Sequence, residues 1–78
     1  MTEHTRALQG AIDRAKGTAS TMRGAAHEIR TLEAKAYRGK FVAEELLLSA
    51  KAAELEASAV SWDAKAAEIE AVMALVSK

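Results

Sequence analysis

The chain has no cysteine and no proline, and Tyr37, Phe41 and Trp62 are its only aromatic residues among 78. Without cysteine, neither a disulfide nor a thiolate metal site can support the fold. Without proline, nothing interrupts a helix from inside. The longest uninterrupted apolar run is six residues, Ala71 to Val76, far short of the roughly 20 needed to cross a bilayer as a helix. No charged-then-apolar leader opens the sequence, so a soluble protein that starts in the cytoplasm is expected. Export, if it occurs, would use a route that reads no cleavable signal.

What the sequence has in quantity is alanine, 19 residues in all. That bias toward the strongest helix former, with few β-branched residues, predicts an all-α chain. Seventy-eight residues make one domain, 1–78. A core of that size seldom stabilises a fold without disulfides, metal or association. Association is the remedy left.

Formal charge is zero overall, but residues 1–39 carry +3 and residues 40–78 carry −3, and all five arginines lie in the first half. Such asymmetry suits either a nucleic-acid arm or two complementary helices of one hairpin. The heptads favour the second.

Leu8, Ile12, Ala15, Ala19, Met22, Ala26, Ile29, Glu33 and Ala36 follow alternating steps of four and three, as do Leu48, Ala52, Leu55, Ala59, Trp62, Ala66, Ile69, Met73 and Val76. Both strings are coiled-coil seams. Between them stands Ala-Tyr-Arg-Gly-Lys-Phe (36–41), in which Gly39 is the expected left-handed helix stop, preceded by Lys35 and Arg38. The reading is helix 1 over about 3–37, a turn over about 38–41 and helix 2 over about 42–77. A break near Ser58–Ser61 would give three helices, but the heptad runs through it.

A turn near residue 40 makes the helices antiparallel, with Leu8 facing Met73, Ile12 facing Ile69, Ala15 facing Ala66, Ala19 facing Trp62, Met22 facing Ala59, Ala26 facing Leu55 and Ile29 facing Ala52. Large side chains thus meet small ones, which fills each layer while the backbones approach closely. The flanking positions test this register independently. Lys16 falls opposite Glu70, Arg23 opposite Asp63 and Arg30 opposite Glu56, opposite in sign each time. Surface pairs are individually weak, so three in register act chiefly against wrong pairings. The expected architecture is therefore an antiparallel two-helix hairpin, an alanine-rich coiled coil, completed to a four-helix bundle or larger assembly by self- or hetero-association.

Helix 2 carries a second apolar string, Leu46, Ala50, Ala53, Ala57, Val60, Ala64, Ala67, Ala71 and Ala74, behind the first, with Leu47, Val72 and Leu75 alongside. A helix apolar on two faces is buried on two faces. On helix 1 the corresponding outer positions are Gly10, Asp13, Gly17, Ser20, Gly24, His27, Thr31 and Ala34. Glycine inside a helix costs about 1 kcal/mol relative to alanine, so three at heptad spacing suggest close approach by another helix. The expected partner interface is Gly10, Gly17 and Gly24 with Ala53, Ala57, Val60, Ala64 and Ala67.

Chemistry is thin. His4 and His27 form no metal-ligand spacing, and no triad, phosphate loop or catalytic pocket is legible. No catalytic, cofactor-binding or metal-binding residue is assigned, and an enzyme is not expected. Glu33, in the seam facing Leu48, is expected to reach Arg30 or Lys35 and help fix register. Trp62 reads first as core filling opposite Ala19, and second as an anchor for a partner.

Tyr37-Arg38-Gly39 at the turn and Ser-Trp-Asp-Ala-Lys-Ala-Ala-Glu-Ile-Glu (61–70) in helix 2 resemble the Trp-x-Gly helical hairpins exported by type VII secretion, early-secreted-antigen-like proteins. The resemblance implies pairing into a four-helix homodimer or heterodimer. Tyr37 stands where that family has tryptophan, the chain is short, and no Tyr-x-x-x-Asp/Glu signal follows Met73. The small hairpin chaperones of type III secretion are similar in size and shape. Function is accordingly read as a non-enzymatic helical protein–protein interaction module, serving assembly, adaptor or chaperone roles through a homo-oligomer or a heterodimer. A secreted hairpin exported as a dimer and a filament or shell subunit are the alternatives. Nucleic acid, a membrane span and a small-molecule substrate are not expected.

Overall fold

The computed structural model describes residues 3–76, in which α1 (Glu3–Arg38) and α2 (Val42–Val76) form an antiparallel hairpin with no strand. These bounds match the sequence reading to within a residue, apart from residue 77, which lies outside the described residues. α2 runs unbroken through Ser58–Ser61. The hairpin is a rod, with Cα extents of 57 × 14 × 11 Å. Its radius of gyration is 17.5 Å, against about 11.5 Å for a compact chain of this length.

Among the described residues, the buried core is Ile12 and seven alanines: Ala15, Ala19, Ala26, Ala36, Ala52, Ala59 and Ala66. All belong to the two expected seams. Ile12, Ala15 and Ala66 form a buried cluster, against which Trp62, Ile69 and Met73 pack. The larger seam residues Leu8, Met22, Ile29, Leu48, Leu55, Trp62, Ile69 and Met73 are only half-buried, and Val76 at the open end is exposed. Two helices brought together on methyl groups enclose one large side chain, Ile12, and leave the others at the edges of the seam.

The turn departs from the sequence reading by one residue. Gly39 keeps a negative φ, and the left-handed position is taken by Lys40, with φ of 62°. The Phe41 amide donates to the Ala36 carbonyl at 2.9 Å and the Lys40 amide to the Tyr37 carbonyl at 3.1 Å, the paired bonds of a Schellman stop with Lys40 at the residue after the cap. Glycine at 39 has a different reason: a Cβ there would lie 2.6 Å from Cε2 of Phe41, whose ring covers the position. The Phe41 carbonyl then accepts from the Glu45 amide at 2.9 Å, which starts α2 directly. Lys35 and Arg38 close α1, and Glu44 and Glu45 open α2, each favourable to its helix dipole.

Two substitutions test this description by thermal unfolding followed by circular dichroism. Lys40→Gly relieves the left-handed strain, partly offset by glycine's greater unfolded-state entropy, and is expected to stabilise by about 0.5–1 kcal/mol. Ile12→Ala removes the one large, fully enclosed side chain and is expected to destabilise by about 2–5 kcal/mol; a smaller loss would mean that the alanine seam alone carries the fold.

Candidate interaction surface

The flanks of the hairpin fix its register. Lys16 Nζ lies 2.7 Å from Glu70 Oε1, Arg23 pairs with Asp63, and Arg30 Nη2 lies 2.6 Å from Glu56 Oε1, the three pairs expected from the heptads. Arg30 also donates through Nη1 to Glu33 Oε2 at 2.8 Å, so the seam carboxylate is held by Arg30 rather than Lys35. One guanidinium therefore joins α1 to itself and to α2 near the turn. Hydrogen bonding to Glu70 raises the Lys16 pKa, and hydrogen bonding to Asp63 raises that of Arg23. Arg30 is raised as well, first by Glu56 and then by Glu33. These pairs are solvent-exposed, which makes them determinants of alignment more than of stability.

With Lys16, Arg23 and Arg30 engaged in this way, the two remaining faces differ sharply. The outer face of α2 is exposed along its whole length: Leu46, Ala50, Ala53, Ala57, Val60, Ala64, Ala67, Ala71 and Ala74 all reach solvent. Leu46 is 65 % exposed and Val60 64 %, while Leu47 and Leu75, on one edge of the face, reach 74 % and 71 %. The face has no partner within the hairpin, since α1 covers only the opposite side of α2.

The outer face of α1 is polar. Asp13, Ser20, His27 and Thr31 are exposed there beside Gly17 and Gly24. Asp13 accepts from Gln9 Nε2 at 2.9 Å, and the hydroxyls of Thr21 and Thr31 donate to the carbonyls of Gly17 and His27, which leaves them bound to their own helix. A Cβ on Gly17 or Gly24 would meet nothing within 4 Å, and one on Gly10 only the tip of Arg14 at 3.4 Å. Nothing inside the hairpin therefore requires these glycines. The strip of Gly10, Gly17 and Gly24 and the face of Ala53, Ala57, Val60, Ala64 and Ala67 look away from each other on opposite sides of the rod. A single partner helix cannot touch both.

The heptad reading passed over one feature, the apolar closed end of the rod. Tyr37, Phe41 and Val42 are each at least 60 % exposed, and Val42 stands one helical turn before Leu46, so exposed apolar surface of α2 continues to the turn. Tyr37 and Val42 fall on neither inward seam, whereas Phe41 continues the α2 seam one heptad before Leu48 and is exposed because it lies in the turn. Trp62 lies with one side on the Ile12 cluster and has Lys65 Nζ 4.3 Å from its ring centroid. It is thus core filling with a cationic cover.

Among the described residues, no three His, Asp or Glu side chains converge as a cation site, and no helix is long and apolar enough to cross a membrane. No known protein family, curated protein or solved structure matches this chain.

The open space at the glycines generates a prediction. Gly17→Ala and Gly24→Ala are each expected to stabilise the protein by about 1 kcal/mol in thermal or denaturant unfolding. Destabilisation instead would reveal a helix packed against that strip. For the register, the reversals Arg23→Glu and Asp63→Arg should each lower Tm, and the double exchange should recover most of the loss. A double variant no better than the singles would mean that the pair does not set alignment.

Proposed function

We propose that this chain is a non-enzymatic helical interaction module that docks a second helical chain on the outer face of α2, in an assembly, adaptor or chaperone-like role. The observation that carries this reading is the difference between the helices: the apolar seam of α1 faces α2 and the outer face of α1 is polar, whereas α2 is apolar on two faces and turns only one of them to α1. An exposed apolar surface running the length of a 35-residue helix is large for a free protein and is the usual mark of an interface. Ala53, Ala57, Val60, Ala64 and Ala67 form its middle, Leu46, Leu47 and Leu75 its ends.

The thinness of the core supports the same reading. Alanine burial contributes about one methyl group per residue, near 0.8 kcal/mol each, so a hairpin resting on seven of them gains from a second layer. The polar outer face of α1 would then face water, which suits its internally bonded threonines.

Light scattering after size exclusion, over a concentration series, tests this. The wild-type chain is expected to elute above its 8.3 kDa monomer mass, and Val60→Glu, a substitution at a site exposed in the hairpin, should give a helical monomer. Association that survives Glu at position 60 would overturn the reading, whereas a wild-type chain that stays monomeric at every concentration would assign the docked helix to a different protein.

A further inference from the structure

The accessible surface is 5608 Å², whereas a compact protein of 8.3 kDa exposes about 4,600 Å². The excess is about 1,000 Å² per chain, and two chains that each cover it bury about 2,000 Å² together, the area at which obligate dimers begin. We propose that the occupant of the α2 face is a second copy of this chain, packed antiparallel about a twofold axis that passes beside Ser61. This proposal rests on the α2 docking reading above and specifies its partner and geometry.

The hairpin supplies the packing rule, because its observed ion pairs fix how inward layers and flanking positions are offset in an antiparallel pair of these helices. The same offsets applied to two α2 faces give one register that uses their whole length. Leu46 then meets Ala71 of the second copy, Ala50 meets Ala67, Ala53 meets Ala64 and Ala57 meets Val60. Every branched side chain faces an alanine, as in the hairpin's own core. On the flank, Leu47 meets Leu75 of the second copy, which covers the two most exposed large apolar side chains of the described residues with each other. Moving either helix by a heptad leaves both leucines without this contact.

Charge agrees with this register. Glu54 falls opposite Glu68 of the second copy, but Lys51 Nζ lies 3.5 Å from Glu54 Oε1, and Lys65 stands one turn before Glu68. Each of the two equivalent clusters therefore holds two lysines and two glutamates. On the other flank Glu56 meets Glu56, each already neutralised by its own Arg30. The competing arrangement, α1 of one copy on α2 of the next, would bury Asp13, Ser20, His27 and Thr31 against alanines, and buried polar groups without new partners are unfavourable. The two helices thus have separate fates: α2 at the centre of a four-helix dimer, α1 on its outside.

Because the chain contains no cysteine, single cysteines with a short bismaleimide read this geometry directly. Ser61→Cys is expected to form a covalent dimer in high yield, while Ser20→Cys, on the outer face of α1, stays monomeric on denaturing gels. Leu47→Cys mixed with Leu75→Cys should cross-link, whereas neither should cross-link with itself. Self-linking of Leu47→Cys would mean parallel packing, and linking through Ser20 would mean an α1 interface; either overturns the proposal. A chain that associates and is made monomeric by Val60→Glu, yet fails to link at Ser61, would overturn this geometry and leave the docking reading standing. A chain that never associates with itself would overturn this proposal and leave the docking reading with a different helical protein as the partner.

Discussion

The methyl-to-methyl contact between two alanine seams is the constraint from which the rest of the structure follows. Ala15, Ala19, Ala26, Ala52, Ala59 and Ala66 are buried because the helices come close enough to enclose so small a side chain. Close approach gives dense packing, but alanines interlock poorly, since one layer of methyl groups looks much like the next. Alignment must therefore come from something with sign and position. Lys16–Glu70, Arg23–Asp63 and Arg30–Glu56 supply it from the rims.

A core made of small groups also sets the size of what it can stabilise. The larger side chains, Leu48, Leu55, Trp62 and Ile69 among them, are pushed to the edges of the seam and remain half exposed. The rod consequently exposes more surface than a compact chain of its mass. The unequal distribution of that surface gives the molecule a direction, with a hydrated helix on one side and an apolar helix on the other. Under the proposed docking role no pocket is needed, because recognition would be spread along a helix face and specificity would come from register.

The turn and the glycine strip show where physical reasoning from composition reaches its limit. Gly39 was expected in the left-handed position because glycine adopts it without strain, yet Lys40 occupies it. The ring of Phe41 covers residue 39 and needs the space that a missing Cβ leaves; that contact depends on where the chain leaves the turn, which no single-residue preference encodes. Similarly, heptad spacing aligned Gly10, Gly17 and Gly24 on one face, as they are, but the open space above Gly17 and Gly24 and their position opposite the α2 face emerge only once the helices are paired.

By itself, the sequence determined the two helices, the position of the turn to within a residue, both inward seams and the three inter-helix ion pairs. Each of these follows from periodicity, which a helix converts into a face with little help from its surroundings. Tertiary structure decided what depends on the distance between helices: which seam residues are enclosed, that Trp62 is covered only in part, and that the glycine strip and the α2 face point in opposite directions. Burial is a property of pairs of surfaces. A heptad names the residues on a face, but the separation of the packed backbones determines whether water still reaches them.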